Sequence, residues 1–101
     1  MITVVTEHWA VPEQKETAEN LIRENGKTMR AFAGFVSRVT LVSQADPYKV
    51  TSVTTWRSPD DYAAWTNRPR PERPAGQADA PRPQLWTTPP EAEVYTLVPE
   101  L

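Results

Sequence analysis

The sequence predicts an α+β fold with the split βαβ order strand, helix, strand, strand, helix, strand, and three observations predict it. A β-branched N-terminal run from Ile2 to Trp9 leads into an amphipathic helix. The stretch from Thr51 to Trp65 reads as an alternating strand that passes directly into a capped helix. Alternation then returns from Glu91 to Val98 after a proline-rich stretch. This order is that of a ferredoxin-like fold, a four-stranded antiparallel sheet with both helices packed on one face.

In the first strand Ile2, Val4, Thr6 and His8 share one face and Thr3, Val5, Glu7 and Trp9 the other, because successive side chains point to opposite sides. Pro12 opens the first helix. Ala18, Leu21, Ile22 and Met29 recur at helical spacing as an inward stripe, leaving Glu13, Lys15, Glu16, Arg23 and Lys27 mostly toward water. Asn25 falls on the inward stripe and needs a partner from protein, water or ligand. Gly26 weakens the helix interior and predicts a kink or an early end, with Gly34 the stronger stop. Phe35 to Ser43 and Tyr48 to Arg57 form an antiparallel hairpin around the turn residues Gln44-Ala45-Asp46-Pro47.

Ser58 is the N-cap of the second helix, Pro59 suits its first turn, and Asp61 completes a capping-box-like Ser-x-x-Asp. Asp60 and Asp61 put negative charge at the positive end of that helix's dipole. Tyr62 and Trp65 then lie on one helical face. Residues 68–90 contain seven prolines and four arginines, which rules out a helix or a central strand and predicts a long irregular arm. The 101 residues suffice for a single domain, residues 1–101, with this arm as part of it.

A net charge of -2 argues against general capture of nucleic acid. Without cysteine there is no disulfide, thiolate nucleophile or Cys-ligated metal, and the single His excludes a multi-His metal site. The N-terminus lacks a basic, apolar leader and no window approaches a membrane span, so the expectation is a cytoplasmic protein. The sheet face away from the helices carries apolar positions, and pairing two sheets in a symmetric homodimer would cover them.

The element order, Ala33-Gly34-Phe35-Val36 at the entry to the second strand, and Thr55-Trp56-Arg57-Ser58-Pro59-Asp60-Asp61-Tyr62-Ala63-Ala64-Trp65 together resemble the antibiotic biosynthesis monooxygenase family. The resemblance covers residues 1–67 and the last strand. It implies a dimeric α+β barrel, and among superfamily members that include haem degraders and many proteins of unknown role, the activity expected here is that of a monooxygenase that needs no cofactor. Such an enzyme oxidises a phenolic or polycyclic aromatic small molecule to a quinone with molecular oxygen. That chemistry asks for a dry aromatic pocket, a proton acceptor and polar contacts for the resulting anion.

The catalytic candidates are Glu7 and Trp65. Glu7 shares its strand face with Val5 and Trp9, where a desolvated carboxylate would make a base, and strand-margin pairing with a cation is the alternative. Trp65 is either a stacking wall or the anchor of its helix. Asn25, Tyr62, Asn67 and Trp86 are the substrate-binding candidates, with helix capping an alternative for Asn67. His8 points to the opposite face from Glu7, toward the expected dimer interface.

In the arm, Leu85 and Trp86 would close as a lid, and Arg68, Arg70, Arg73 and Arg82 would attract an anionic substrate. Alternatively, residues 69–74 and 81–83 present polyproline-like surface to a protein partner, which makes the chain a non-catalytic binding module. Haem binding is a third reading. Haem degraders of the superfamily carry an Asn on the first strand, a Trp ending the second helix and a His beyond it; here Trp65 matches, Glu7 replaces the Asn, and no His follows.

Overall fold

The computed structural model describes residues 1–69 and 84–101. Among the described residues four strands and two α-helices follow in the expected order: β1 (Ile2–Ala10), α1 (Lys15–Met29), β2 (Phe35–Val42), β3 (Lys49–Trp56), α2 (Pro59–Thr66) and β4 (Trp86–Thr96), with Pro12 opening a single 3₁₀ turn (Pro12–Gln14) that leads into α1. The strands form one antiparallel sheet in the order β2-β3-β1-β4, the ferredoxin-like topology, with the two sequence-distant strands β1 and β3 at its centre. Among the described residues, no helix is long and apolar enough to cross a membrane.

The alternation of β3 is complete. Val50, Ser52, Thr54 and Trp56 are buried beneath the helices, while the residues between them are only partly covered. Antiparallel pairing sets Ile2 opposite Trp56 and Val4 opposite Thr54, so these residues of β1 go to the same side. The core is therefore Ile2, Val4, Met29, Trp56 and Trp65, flanked by Phe32, Phe35 and Tyr62. Trp56 is 0% exposed, and its indole N–H donates to Thr54 Oγ1 at 3.0 Å, so no polar atom of the ring is left unpaired in the interior. Phe35 meets Trp56 edge-on and Phe32 meets Trp65 edge-on, with ring centroids 5.5 and 5.4 Å apart.

The first helix departs from its expected face. Ala18, Ile22, Gly26 and Met29 are its buried residues, whereas Leu21 is 40% exposed. The stripe follows i, i+4, i+8 through Gly26, and Leu21 lies to one side of it. Gly26 neither kinks nor ends the helix, which runs on to Met29. Interior glycine costs a helix about 1 kcal/mol relative to alanine. The reason it is tolerated here is steric: a Cβ at this position would collide with the guanidinium of Arg38, which lies against the helix backbone. Arg38 Nη1 donates to the carbonyl of Ile22 at 2.7 Å and ties β2 to α1.

The second helix begins as expected. Ser58 is extended, its Oγ accepts from Asp61 N–H at 3.2 Å, and the same hydroxyl donates to the Asp61 carboxylate at 2.9 Å. Gly34, in the turn before β2, has φ of 83°, and a Cβ there would collide with Asp61. Its carbonyl accepts from Arg57 N–H at 2.8 Å, so the turn and the cap are fastened together.

The last strand corrects the expected arm boundary. Rather than starting at Glu91, β4 begins at Trp86, and Pro89 and Pro90 lie within it. Edge position explains this, because β4 pairs only with β1 and a proline in an edge strand need not interrupt a neighbouring ladder. The register shifts between Glu7 and Trp9, so that Pro89 and Pro90 together stand opposite His8 as a bulge. Leu85 is tied down as well, its carbonyl accepting from Val11 N–H at 2.8 Å. Arg70, Arg73, Arg82 and, of the two polyproline-like stretches, residues 70–74 and 81–83 lie outside the described residues.

Replacing Gly34 by Ala should destabilise the fold by more than about 1–2 kcal/mol, the cost of the left-handed backbone alone, because Asp61 must also leave the cap. Loss of the cap hydroxyl in Ser58→Ala should cost about 1 kcal/mol. Urea unfolding of both variants checks the order of the two effects.

Candidate functional site

Between the sheet and the helices lies a half-open chamber of about 220 Å³. Thr6 and His8 of β1 and Ser52 of β3 form its floor, Asn25 and Met29 of α1 one wall, and Tyr62 and Trp65 of α2 the other. Arg38 reaches in from β2 and Ala92 from β4. An engineered apolar cavity of roughly 150 Å³ takes up benzene, so this chamber suits one or two fused rings.

His8 is the titratable group of the floor. Its Nδ1 lies 3.1 Å from the carbonyl oxygen of Val50, which can only accept; Nδ1 therefore carries the hydrogen, and Nε2 of the neutral ring keeps its lone pair. Burial lowers the His8 pKa below 6.5; the bond to Val50 partly opposes this, and the positive charge of Arg38 adds to the lowering. At neutral pH His8 is thus an uncharged proton acceptor. The bulge in β4 brings Trp86 against it, with ring centroids 4.9 Å apart and planes inclined by 44°.

The α2 wall is part core and part chamber. Trp65 is 6% exposed, belongs to the core cluster and also lines the chamber, so both alternatives weighed for it describe the same side chain. The guanidinium carbon of Arg68 sits 3.4 Å from the Trp65 ring centroid, and Arg68 Nη1 donates to the Trp65 carbonyl at 2.9 Å. Tyr62 packs against Trp56 at 5.8 Å, and burial raises its pKa above 10, so its phenol stays protonated and able to donate. Asn25 lines the chamber.

Glu7, Asn67 and Trp86 are placed otherwise. Glu7 lies on the opposite face of β1, 38% exposed, where Lys49 Nζ approaches its carboxylate to 3.6 Å. The face assignment of β1 expected for Glu7 and His8 is therefore reversed: His8 is within the chamber and Glu7 on the open side. Asn67 is exposed at the C-cap of α2, where its backbone N–H donates to Ala63 O at 2.9 Å, and it does not line the chamber. Trp86 is held in β4 instead of a lid. Arg38, not singled out by sequence reasoning, announces itself only as a cation at an inward position of β2, and nothing local in the sequence pairs it with Gly26.

The sequence profile of the antibiotic biosynthesis monooxygenase family matches residues 1–72. The chain belongs to that family. No curated protein gives a significant sequence match. Among solved structures, an antibiotic biosynthesis monooxygenase aligns over 98% of this chain and 100% of its own at 17% identity and a TM-score of 0.77. A conserved protein from Methanosarcina mazei Go1 covers 93% and 89% of the two chains at 14% identity and a TM-score of 0.75. A variant of SnoaB, a cofactor-independent oxygenase from Streptomyces nogalater, covers 95% and 91% at 16% identity and a TM-score of 0.71. At these identities the structural matches speak to the fold, and the profile match to the family.

Because His8 is the only histidine, its imidazole resonances can be followed without assignment. Their titration midpoint should lie below 6.5, and Arg38→Met should raise it by removing a neighbouring charge. The folded state binds the proton more weakly than the unfolded state, so His8 contributes stability above about pH 6.5 that is lost as the pH falls through its folded pKa. NMR titration alongside urea unfolding at several pH values measures both.

Proposed function

We propose that the chain is a cofactor-independent oxygenase that converts a one- or two-ring phenolic compound to a quinone inside the chamber. The observation that carries this reading is the neutral His8, anchored through Nδ1 to Val50 and facing the same chamber as Tyr62, Trp65 and Asn25. His8 takes the role first sought in Glu7. Nε2 removes the phenolic proton, and Trp65 with Met29 supplies the apolar wall against which the ring lies.

The phenolate is electron-rich enough to reduce oxygen directly. Electron transfer to oxygen and recombination at the ring carbon para to the oxygen give a ring hydroperoxide. Loss of water from that carbon then yields the quinone. The sum is one phenol and one oxygen molecule to one quinone and one water, with the proton taken by His8 returned in the leaving water. Tyr62 and Asn25 are placed to hydrogen-bond the substrate oxygen as its charge develops.

The open sheet face supports a homodimer. Val5, Val53 and Val39 stand directly across from one another on three adjacent strands, and Leu41 lies on the same face. Val39 is 53% exposed and Leu41 50%. Face-to-face pairing of two such sheets would cover this band and leave each chamber on the outer, helical side.

With 1-naphthol as probe, oxygen uptake should match naphthoquinone formation mole for mole. His8→Ala should lower kcat by about 10²–10⁴-fold, while Glu7→Gln should leave it nearly unchanged. No oxygen uptake with 1-naphthol or with a panel of one-ring phenols would overturn the assignment. Sedimentation at micromolar concentration should show a dimer, and Val39→Glu should shift it to monomer.

A further inference from the structure

Arg38 stands where the chamber meets a second, larger cleft of about 390 Å³ between α1 and the β2–β3 hairpin. That cleft collects Arg23, Lys27, Arg30 and Arg38 around an apolar floor that includes Ile22 and Val50, with Glu19 as its acidic residue. Four cations of a chain of net charge -2 thus line one cleft. Lys27 is paired with Glu24 at 3.1 Å, and Arg23 donates to Asn20 at 2.5 Å. Among the described residues no carboxylate pairs with Arg38 or Arg30.

The Arg38 guanidinium is positioned from one side only. Nη1 is fixed to the Ile22 carbonyl, and the bare backbone at Gly26 makes room for it. Nε is shielded from solvent and has no hydrogen-bond partner among the described residues. A buried donor of a charged group left without an acceptor is unfavourable, but a shielded Nε is out of a ligand's reach, and the nitrogen left open to one is Nη2. Nη2 can donate one charge-assisted hydrogen bond to a carboxylate.

We propose that Arg38 binds the carboxylate of the aromatic ligand whose rings occupy the chamber, so that the preferred ligands are one- or two-ring hydroxyaromatic acids. This rests on the aromatic-chamber reading given above. The phenolic ring lies between His8 and Trp65, and the carboxylate reaches the junction with the basic cleft, where Arg30 adds a second positive charge. Two separated polar groups on a flat ring, one read by His8 and one by Arg38, fix which ring carbon is presented to oxygen.

The test compares 6-hydroxy-2-naphthoate with its methyl ester by calorimetric titration of the full chain. The acid should bind wild-type protein at least about tenfold more tightly, the worth of one charge-assisted contact. In Arg38→Met the acid should fall to the affinity of the ester, with the ester itself little changed, and Arg38→Lys should restore only part of the preference. Equal binding of acid and ester to the wild type, or an acid preference that survives in Arg38→Met, would overturn the proposal. The wild-type comparison decides the matter even if Arg38→Met does not fold. Binding of the ester with no gain for the acid removes the role of Arg38 and leaves the chamber intact; failure of both ligands to bind removes the chamber reading and this proposal with it.

Discussion

Burial of Ile2 and Val4 under the two helices sets the phase of β1, and most of what the site contains follows from it. Once Ile2 faces Trp56 and Val4 faces Thr54 inside the core, strand geometry sends Thr6 and His8 inward and Val5, Glu7 and Trp9 outward. A slip by one residue would exchange the chamber's imidazole for a carboxylate. The large aromatic side chains resist such a slip, since Trp56 and Trp65 fill the space that Ile2 and Val4 cap, and a close-packed interior has no second arrangement of similar energy.

The same packing places the polar groups without their own elements having to be rigid. Tyr62 and Trp65 are held because α2 starts at a fully used cap and is pressed onto Trp56 and Phe32. His8 is held from two directions, by the Val50 carbonyl on one strand neighbour and by Trp86 on the other. Arg38 is held by α1, whose glycine admits it. His8 and Arg38, which meet the chamber from the sheet, are thus each oriented by a partner on a different element, which keeps their mutual geometry tied to the fold as a whole.

Much of this was legible in the chain. The Ser58 cap, the alternation of β3 and the Gln44 to Pro47 turn are local chemistry, and the structure reproduces them because nothing tertiary competes. The phase of β1 was not legible, because Val5 and Trp9 weigh as much on one face as Ile2 and Val4 do on the other, and only the pairing with Trp56 separates them. Leu21 failed for a related reason: the turn of α1 that faces the sheet is marked by a glycine, which no hydrophobic count recognises. Trp86 read as part of an arm because Pro89 and Pro90 follow it, and a proline pair looks like a break unless the strand is known to be an edge. Arg38 depended on a contact between residues 12 positions apart, invisible to any periodic pattern.

The proline pair in β4 has a bearing on how copies of this chain meet one another. Exposed strand rims are the usual route by which sheets grow sideways without limit, since each free amide can recruit another backbone. Pro89 and Pro90 have no such amide to offer, and the kink they sit in bends the rim away from a straight template. Lateral recruitment is thereby discouraged along that margin.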